Sequence, residues 1–488
     1  MYSSSWRSIQ KHEVPQWLKD CKFGIYTHWG VYSVPACGPN ATWYGYNMYR
    51  EGSLQNLYHR LNYGEVSKFG YKDFIPMFTA EKFDPDEWAE LFKKSGAGFA
   101  GPVGEHHEGF TMWKTKYNKW NSYEMGPKRD IVGELSKSIR AQGMKVMTAM
   151  HHAETWYFYP HWKKAYDVSD ERYKGLYGPL HNMEWSGKET QIDPDPYIAN
   201  HEELWPLMER PSKEFLDSWL NKLKELIDNY EPDLLWFDFG LKYIQEQYKK
   251  EMVAYYYNKA LEKNKDFIIS YKWHNLVVGS GIEDLEQGKR EDLTYNFWVT
   301  DTTADDGEAW GYLYNNSYKS PKALVHYLID NVSKNGALIL SIGPRADGTI
   351  PEEVQHILLE MGKWLEVNGE AIYGTSPWII SGEGPTKMIH TGPFCEKDKL
   401  QYCSEDIRFT LKEDALYAIC LGWPEKELLI KSVLPYLYPD EIKSIELLGC
   451  DEKPEWQVTD KGIVIKMPDK RPCDYAYSLK ITRGKAFD

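Results

Sequence analysis

From residue 22 to residue 368, short apolar runs alternate with longer amphipathic stretches, and this alternation restricts the fold more than any other feature. The runs at 22–30, 97–104, 144–150, 233–239, 266–272, 293–299 and 337–343 have strand length. Continuously apolar strands are buried on both faces, as in parallel sheets flanked by helices. The intervening stretches carry helix signals. Asp84-Pro85 and Ser320-Pro321 each place a capping side chain before a proline at the first helical position. Across 211–230, Phe215, Trp219, Leu220, Leu223, Leu226 and Ile227 fall on one face, and Pro232 ends that helix. The pattern predicts a (β/α)8-type (TIM-like) barrel over 1–378, of which seven strands can be read.

After residue 378 the helices cease. Short strand-like runs at 407–411, 415–421, 428–432, 444–448, 463–467 and 475–481 predict a C-terminal antiparallel β-sandwich over 379–488. Within the barrel, 31–80 and 153–209 read as long aromatic insertions, and 273–291 as a loop rich in carboxylates.

A net charge of −14 argues against a nucleic-acid surface. No run approaches the ~20 apolar residues of a membrane span. The first residues lack an export signal's apolar core, so the cytoplasm is expected, or the periplasm or exterior if a leader has been removed. Homo-oligomerisation stays open. The seven cysteines show no C-x-x-C spacing, so neither a disulfide framework nor a zinc site is expected, although five in the last hundred residues leave room for a bridge. Asn40, Asn315 and Asn331 begin glycan-acceptor triplets. The 20 Trp, 36 Tyr and 17 Phe suit a protein that handles sugars, whose surfaces are part apolar and part polar, but equally a large aromatic core.

Asp238 stands near the end of its strand, where barrel enzymes keep their chemistry; the alternative is an ordinary helix-capping Asp. His28, His106-His107 and His151-His152 also follow strands. Histidines at strand ends suit either a metal site or sugar binding. There is no H-x-H or H-E-x-x-H, and adjacent histidines on a strand point to opposite faces, so no metal is expected. Neutral imidazoles that exchange hydrogen bonds with sugar hydroxyls fit the pattern.

Several blocks resemble the family 29 glycoside hydrolases, the α-L-fucosidases. They are Phe23-Gly24-Ile25 with His28-Trp29-Gly30-Val31-Tyr32-Ser33-Val34-Pro35-Ala36, then His106-His107-Glu108-Gly109-Phe110 and Gly126-Pro127-Lys128-Arg129-Asp130. Leu235-Trp236-Phe237-Asp238, Asn331-Val332-Ser333-Lys334-Asn335-Gly336, Ile342-Gly343-Pro344 and Asp347-Gly348-Thr349-Ile350-Pro351 continue the series in order. The resemblance implies a retaining exo-glycosidase acting on a fucosylated oligosaccharide or glycoconjugate, with no organic cofactor. It makes Asp238 the nucleophile and places His28, Trp43, His106 and His107 around the sugar; His151 and Trp310 are further lining candidates. The acid/base comes from a loop carboxylate among Glu283, Asp284, Glu286, Glu291 and Asp292. Glu286 is preferred, because Asp284-Leu285-Glu286-Gln287-Gly288 resembles a block some members carry there, and Glu283 is the runner-up.

Two departures bear on the substrate. Glu108 replaces the family's usual Asp, and Thr42 stands where a Glu often precedes the Trp43-Tyr44 pair. Sites built to hydrogen-bond a hydroxyl discriminate strongly, so L-galactose or a substituted fucose stays behind L-fucose as glycone. A metal-dependent barrel hydrolase and a non-catalytic sugar-binding protein are the remaining alternatives.

Overall fold

Eight parallel strands close into a barrel: β1 (Phe23–Thr27), β2 (Phe99–Glu105), β3 (Lys145–Met150), β4 (Leu234–Phe237), β5 (Ile268–Lys272), β6 (Ile282–Asp284), β7 (Trp298–Thr303) and β8 (Gly336–Ile342). β8 pairs back onto β1, with Phe23 opposite Leu338 and Thr27 opposite Ile342. The computed structural model describes residues 1–181, 209–307, 309–397, 400–434 and 437–484; the 182–208 part of the aromatic insertion lies outside them. Every residue of β1, β2, β4, β5, β7 and β8 is buried, as strands between a filled lumen and a ring of helices must be. A Cβ on Gly101 would collide with the Met147 carbonyl of the next strand, so only glycine fits there.

The helix signals are used as read. Asp84 accepts from the Asp86 and Glu87 N–H groups, Ser212 from Phe215, and Ser320 from Ala323. The helix Lys213–Tyr230 ends with Glu231 in the left-handed region (φ 48°) just before Pro232.

Two strands differ from expectation. β6 occupies the segment predicted as a loop; with three residues it is too short to show a period, yet it pairs Ser270 with Ile282 and Glu283 with Trp298. The predicted strand at 293–299 shifts to Trp298–Thr303, because β7 carries Thr300, Asp301, Thr302 and Thr303. These polar side chains are buried, and apolarity alone could not find them.

The C-terminal part is antiparallel throughout. It adds β9 (Ser376–Glu383), β10 (Ile407–Lys412), β11 (Ala415–Cys420), β12 (Glu427–Ile430), β13 (Ile442–Leu447), β14 (Trp456–Thr459), β15 (Gly462–Lys466) and β16 (Tyr477–Arg483). A sheet ordered β13-β16-β11-β10-β9 faces a second ordered β12-β15-β14. A separate core of Phe409, Leu416, Leu479, Leu428, Ile430 and Ile463 lies between them. β9 and β14 were not foreseen; their residues are mostly half-exposed and do not alternate cleanly.

This unit is fastened to the barrel by buried polar contacts. Trp364 Nε1 donates to the Ala476 carbonyl (2.8 Å), His326 Nε2 lies 2.9 Å from the Tyr475 carbonyl, and Asp330 on the helix Pro321–Ser333 meets Arg408 of β10 at 2.7 Å. All seven cysteines are free, so the open question of a C-terminal bridge closes against it. Asn331 is fully buried and cannot accept a glycan. No described helix is long and apolar enough to cross a membrane.

Candidate active site

The C-terminal ends of the barrel strands converge on one cavity. β1 delivers His28, β2 His106 and His107, β3 His151, β4 Asp238, β5 Lys272, the turn after β6 Glu286, and β7 Asp301. Asn40, Thr42 and Trp43 from the first insertion and Trp310 from the loop after β7 close the sides, with Tyr26 and Trp236 also in the wall. Asp238 precedes a short 3-10 turn, but its side chain makes no capping hydrogen bond, which removes the helix-cap reading.

Lys272 is the electrostatic centre. Its buried Nζ lies 2.6 Å from Glu286 Oε2, 3.2 Å from Asp238 Oδ1 and 3.4 Å from Asp301 Oδ2. Burial works against its charge, but these carboxylates outweigh it and raise its pKa. Burial also pushes the Asp238 carboxyl up, yet Lys272 and a His107 Nε2 contact at 3.3 Å prevail and hold it well below the usual range. Glu286 goes the other way: burial, helped by Asp301 and Asp238 and only partly offset by Lys272, lifts it to about 8. Two neighbouring carboxyls are thus driven apart in acidity.

A polar scaffold holds this arrangement. Tyr26 OH donates to Asp301 Oδ2 (2.7 Å), Trp236 Nε1 donates to Asp284, and the Asp301 N–H donates to Asp284 Oδ1 (3.1 Å). Burial forces the carboxyls of both Asp284 and Asp301 upward.

The histidines form the opposite wall. Burial depresses the pKa of His28 to about 3 and those of His106 and His151 well below the ordinary value, so all three are neutral. His28 Nδ1 lies 2.7 Å from Ser341 Oγ, and His107 Nδ1 donates to the His151 carbonyl at 3.0 Å. Ligand atoms of His28, His106 and His151 come within 4.8 Å of one another, so this trio could hold a metal ion. Each doublet gives the trio one histidine, as expected of neighbours in the chain, and the three come from three different strand ends; His107 also reaches the cavity, because the pair follows β2. His152 does turn away, stacking on Trp219. Glu108, the longer replacement, lies buried behind His106 with Oε2 3.6 Å from Nδ1.

All the predicted lining residues, Asp238 and Glu286 therefore meet in one place. Glu283 does not; its half-exposed side chain pairs with Arg290 at 2.5 Å. Asp284 lies beneath the cavity, and Asp292 bonds Ser381. Sequence reasoning missed Lys272, Asp301, Tyr26, Trp236 and Asn40. A lysine ending the buried run Ile268-Ile269-Ser270-Tyr271-Lys272 is the signal the sequence offers for that position.

Comparison with known proteins follows the same outline. The family model for alpha-L-fucosidase matches residues 1–370, and that for the alpha-L-fucosidase C-terminal domain matches 400–482. Tissue alpha-L-fucosidase of Rattus norvegicus is 29% identical, over 99% of this chain and 93% of its own length; that of Homo sapiens is 29% identical over 99% and 92%. The crystal structure of Thermotoga maritima alpha-fucosidase in complex with fucose has a TM-score of 0.76 at 30% identity, covering 99% of this chain and 100% of that one. Its complex with a mechanism-based inhibitor gives 0.77 at 29% identity and the same coverage. Because the match runs through barrel and sandwich alike, this chain belongs to the α-L-fucosidase family of glycoside hydrolases.

Proposed function

We propose that the chain is a retaining exo-α-L-fucosidase in which Asp238 is the nucleophile and Glu286 the acid/base, all of its chemistry residing in residues 1–378. The observation that carries this reading is the shared ammonium of Lys272. One cation touching both carboxyls keeps their near oxygens within about 6 Å of each other, as a double displacement requires. Asp238, held ionised, attacks the anomeric carbon while Glu286 gives its proton to the departing glycosidic oxygen. Glu286 then takes a proton from water, whose oxygen attacks the same carbon and releases Asp238. Neutral His28 and His106, together with His107, exchange hydrogen bonds with the sugar hydroxyls, and Tyr26, Trp236 and Trp310 offer an apolar wall to the methyl group of a 6-deoxy sugar. Thr42 and Asn40 supply polar partners where the family often has a Glu.

Glu286→Ala should lose ~10²–10⁴-fold in rate on fucosides with poor leaving groups and far less on activated aryl fucosides. Azide should restore turnover of the variant. The protonated form of Glu286 exists below its pKa of about 8, so wild-type kcat/KM should fall above that pH, and the alkaline limb should vanish in the variant. If Glu283→Ala shows the leaving-group effect and azide rescue while Glu286→Ala does not, the assignment moves to Glu283.

The three-histidine cluster favours a second reading, metal-assisted hydrolysis. Dialysis against a chelator separates the two. The sugar-binding reading expects unchanged turnover, and loss of activity that zinc restores would replace it with the metal reading.

A further inference from the structure

The histidine wall of the cavity is built more tightly than hydrogen bonding to a sugar requires. His28, His106 and His151 follow β1, β2 and β3, and their rings pack as a triangle. Centroids lie 5.6 Å apart for His28 and His106, 5.2 Å for His28 and His151, and 4.6 Å for His106 and His151. All three side chains are buried at the bottom of the cavity. His106 Nδ1 and His151 Nδ1 have no hydrogen-bond partner among the described residues.

Three imidazole donors around one point suit a borderline divalent ion such as zinc, whereas calcium and magnesium want oxygen ligands. Zinc–nitrogen bonds of ~2.0–2.1 Å set tetrahedral donors about 3.4 Å apart. The trio's donors lie within 4.8 Å, so they must draw in by roughly 1.4 Å at most, a shift three side chains can share inside their rotamer wells. The groups behind the rings fit as well. Ser341 Oγ lies 2.7 Å from His28 Nδ1. Glu108 Oε2, buried with no hydrogen-bond partner among the described residues, lies 3.6 Å from His106 Nδ1. A ring that binds an ion through one nitrogen carries its proton on the other, and such outer groups accept that proton and fix the ring. Asp238 adds negative charge beside the trio, with Oδ2 3.9 Å from His151 Nε2.

We propose that His28, His106 and His151 form a site for zinc or a similar divalent ion, and that an ion bound there switches the pocket off by taking the place of the sugar. The inference rests on the fucosidase reading and adds a regulation of that same site. Its sign is opposite to that of metal-assisted hydrolysis: the stripped protein is the active form. His28 and His106 meet the sugar hydroxyls, and a ring whose donor nitrogen is given to an ion has none left for a hydroxyl. The ion also has Asp238, the nucleophile, within reach as a fourth donor. Ion and fucose therefore compete for one space.

Zinc chloride is the probe, titrated calorimetrically into the full chain after dialysis against a chelator, with and without L-fucose. Hydrolysis of an aryl fucoside is measured in parallel. Wild type should bind zinc in the pocket, and L-fucose should weaken that binding. Zinc should raise KM for the fucoside and leave kcat unchanged. His151→Phe keeps the bulk of the ring, removes one donor and should raise the zinc Kd by about 10-fold or more. Glu108→Gln should raise it by about 10-fold, and supplies the comparison if His151→Phe does not fold. The zinc Kd, rather than turnover, is what the variants are judged on, so a loss of activity cannot pass for a loss of the site. Zinc held by the exposed Cys403 would ignore both fucose and His151→Phe. That result, zinc that does not bind, or zinc that raises turnover would overturn the proposal. A wild type that hydrolyses no fucoside, stripped or loaded, would instead overturn the fucosidase reading, while calorimetry on wild type and His151→Phe still decides the ion site.

Discussion

Asp238→Asn is expected to fold as the wild type does and to lose on the order of 10⁴-fold or more in kcat, equivalent to ~5 kcal/mol of transition-state stabilisation. The amide has the carboxylate's shape but not its nucleophilicity. It keeps an oxygen for Lys272 and a place against His107. Its second effect is electrostatic. The Asp238 charge is one of the influences that raise Glu286, so removing it should lower the acid/base pKa and shift any residual alkaline limb to lower pH. A 2-fluoro-fucosyl inhibitor should label wild type on the peptide containing Asp238 and leave the variant unlabelled. Asp238→Gly, which cannot revert by deamidation, guards against traces of regenerated enzyme. An adduct on any other carboxylate would give the nucleophile's role to that residue.

How much of this could be read from the chain depends on what each segment does. Strands such as β1, β3 and β8 need only fill space between lumen and helices, and their apolar runs announce them. β7 could not be placed by the same rule, because its Asp301 and three threonines are buried for polarity rather than in spite of it. Asp301 belongs to the Lys272 cluster, and Lys319 donates to Thr302 Oγ1. Local rules fail where function overrides them. Strand-end position located the histidines and Asp238, since those residue types have few reasons to end a buried strand. Lys272 passed unnoticed because a lysine there reads as a side chain reaching for solvent. Only closure of the barrel brings Glu286 and Asp301, 14 and 29 residues further on, around its ammonium. The Asn331-Val332-Ser333-Lys334 block, legible as a family feature, gave no hint of its work. It lies at the end of the helix that carries Asp330, on the side of the barrel facing the sandwich.

That junction predicts the largest stability effect. The Asp330 carboxylate, 1% exposed, accepts from Lys334 Nζ at 2.8 Å and from Arg408 Nε at 2.7 Å, joining a barrel helix to β10. Burial alone would raise its pKa, but the two cations outweigh burial and press it to about 2. Asp330→Ala leaves both cations in a dry interface without a carboxylate and should destabilise by ~3–5 kcal/mol. The sign of the pH dependence follows. Asp330 is more acidic folded than unfolded, so its contribution is complete above the unfolded carboxyl value of ~4 and disappears as pH falls toward 2. Burial already holds Lys334 below its ordinary value even with Asp330 beside it. Without Asp330 it should drop further, so the variant's deficit should also shrink at high pH as Lys334 loses its proton. Urea unfolding followed by both tryptophan fluorescence and fucosidase activity would measure this, since two packed units need not unfold as one. Replacing Asp330, Lys334 and Arg408 together by leucine should restore much of the loss, because no buried charge is then left unpaired. A deficit under ~1 kcal/mol at pH 7, or one that does not change between pH 7 and pH 3, would mean that the Trp364 and His326 contacts, rather than this ion triad, hold the sandwich to the barrel.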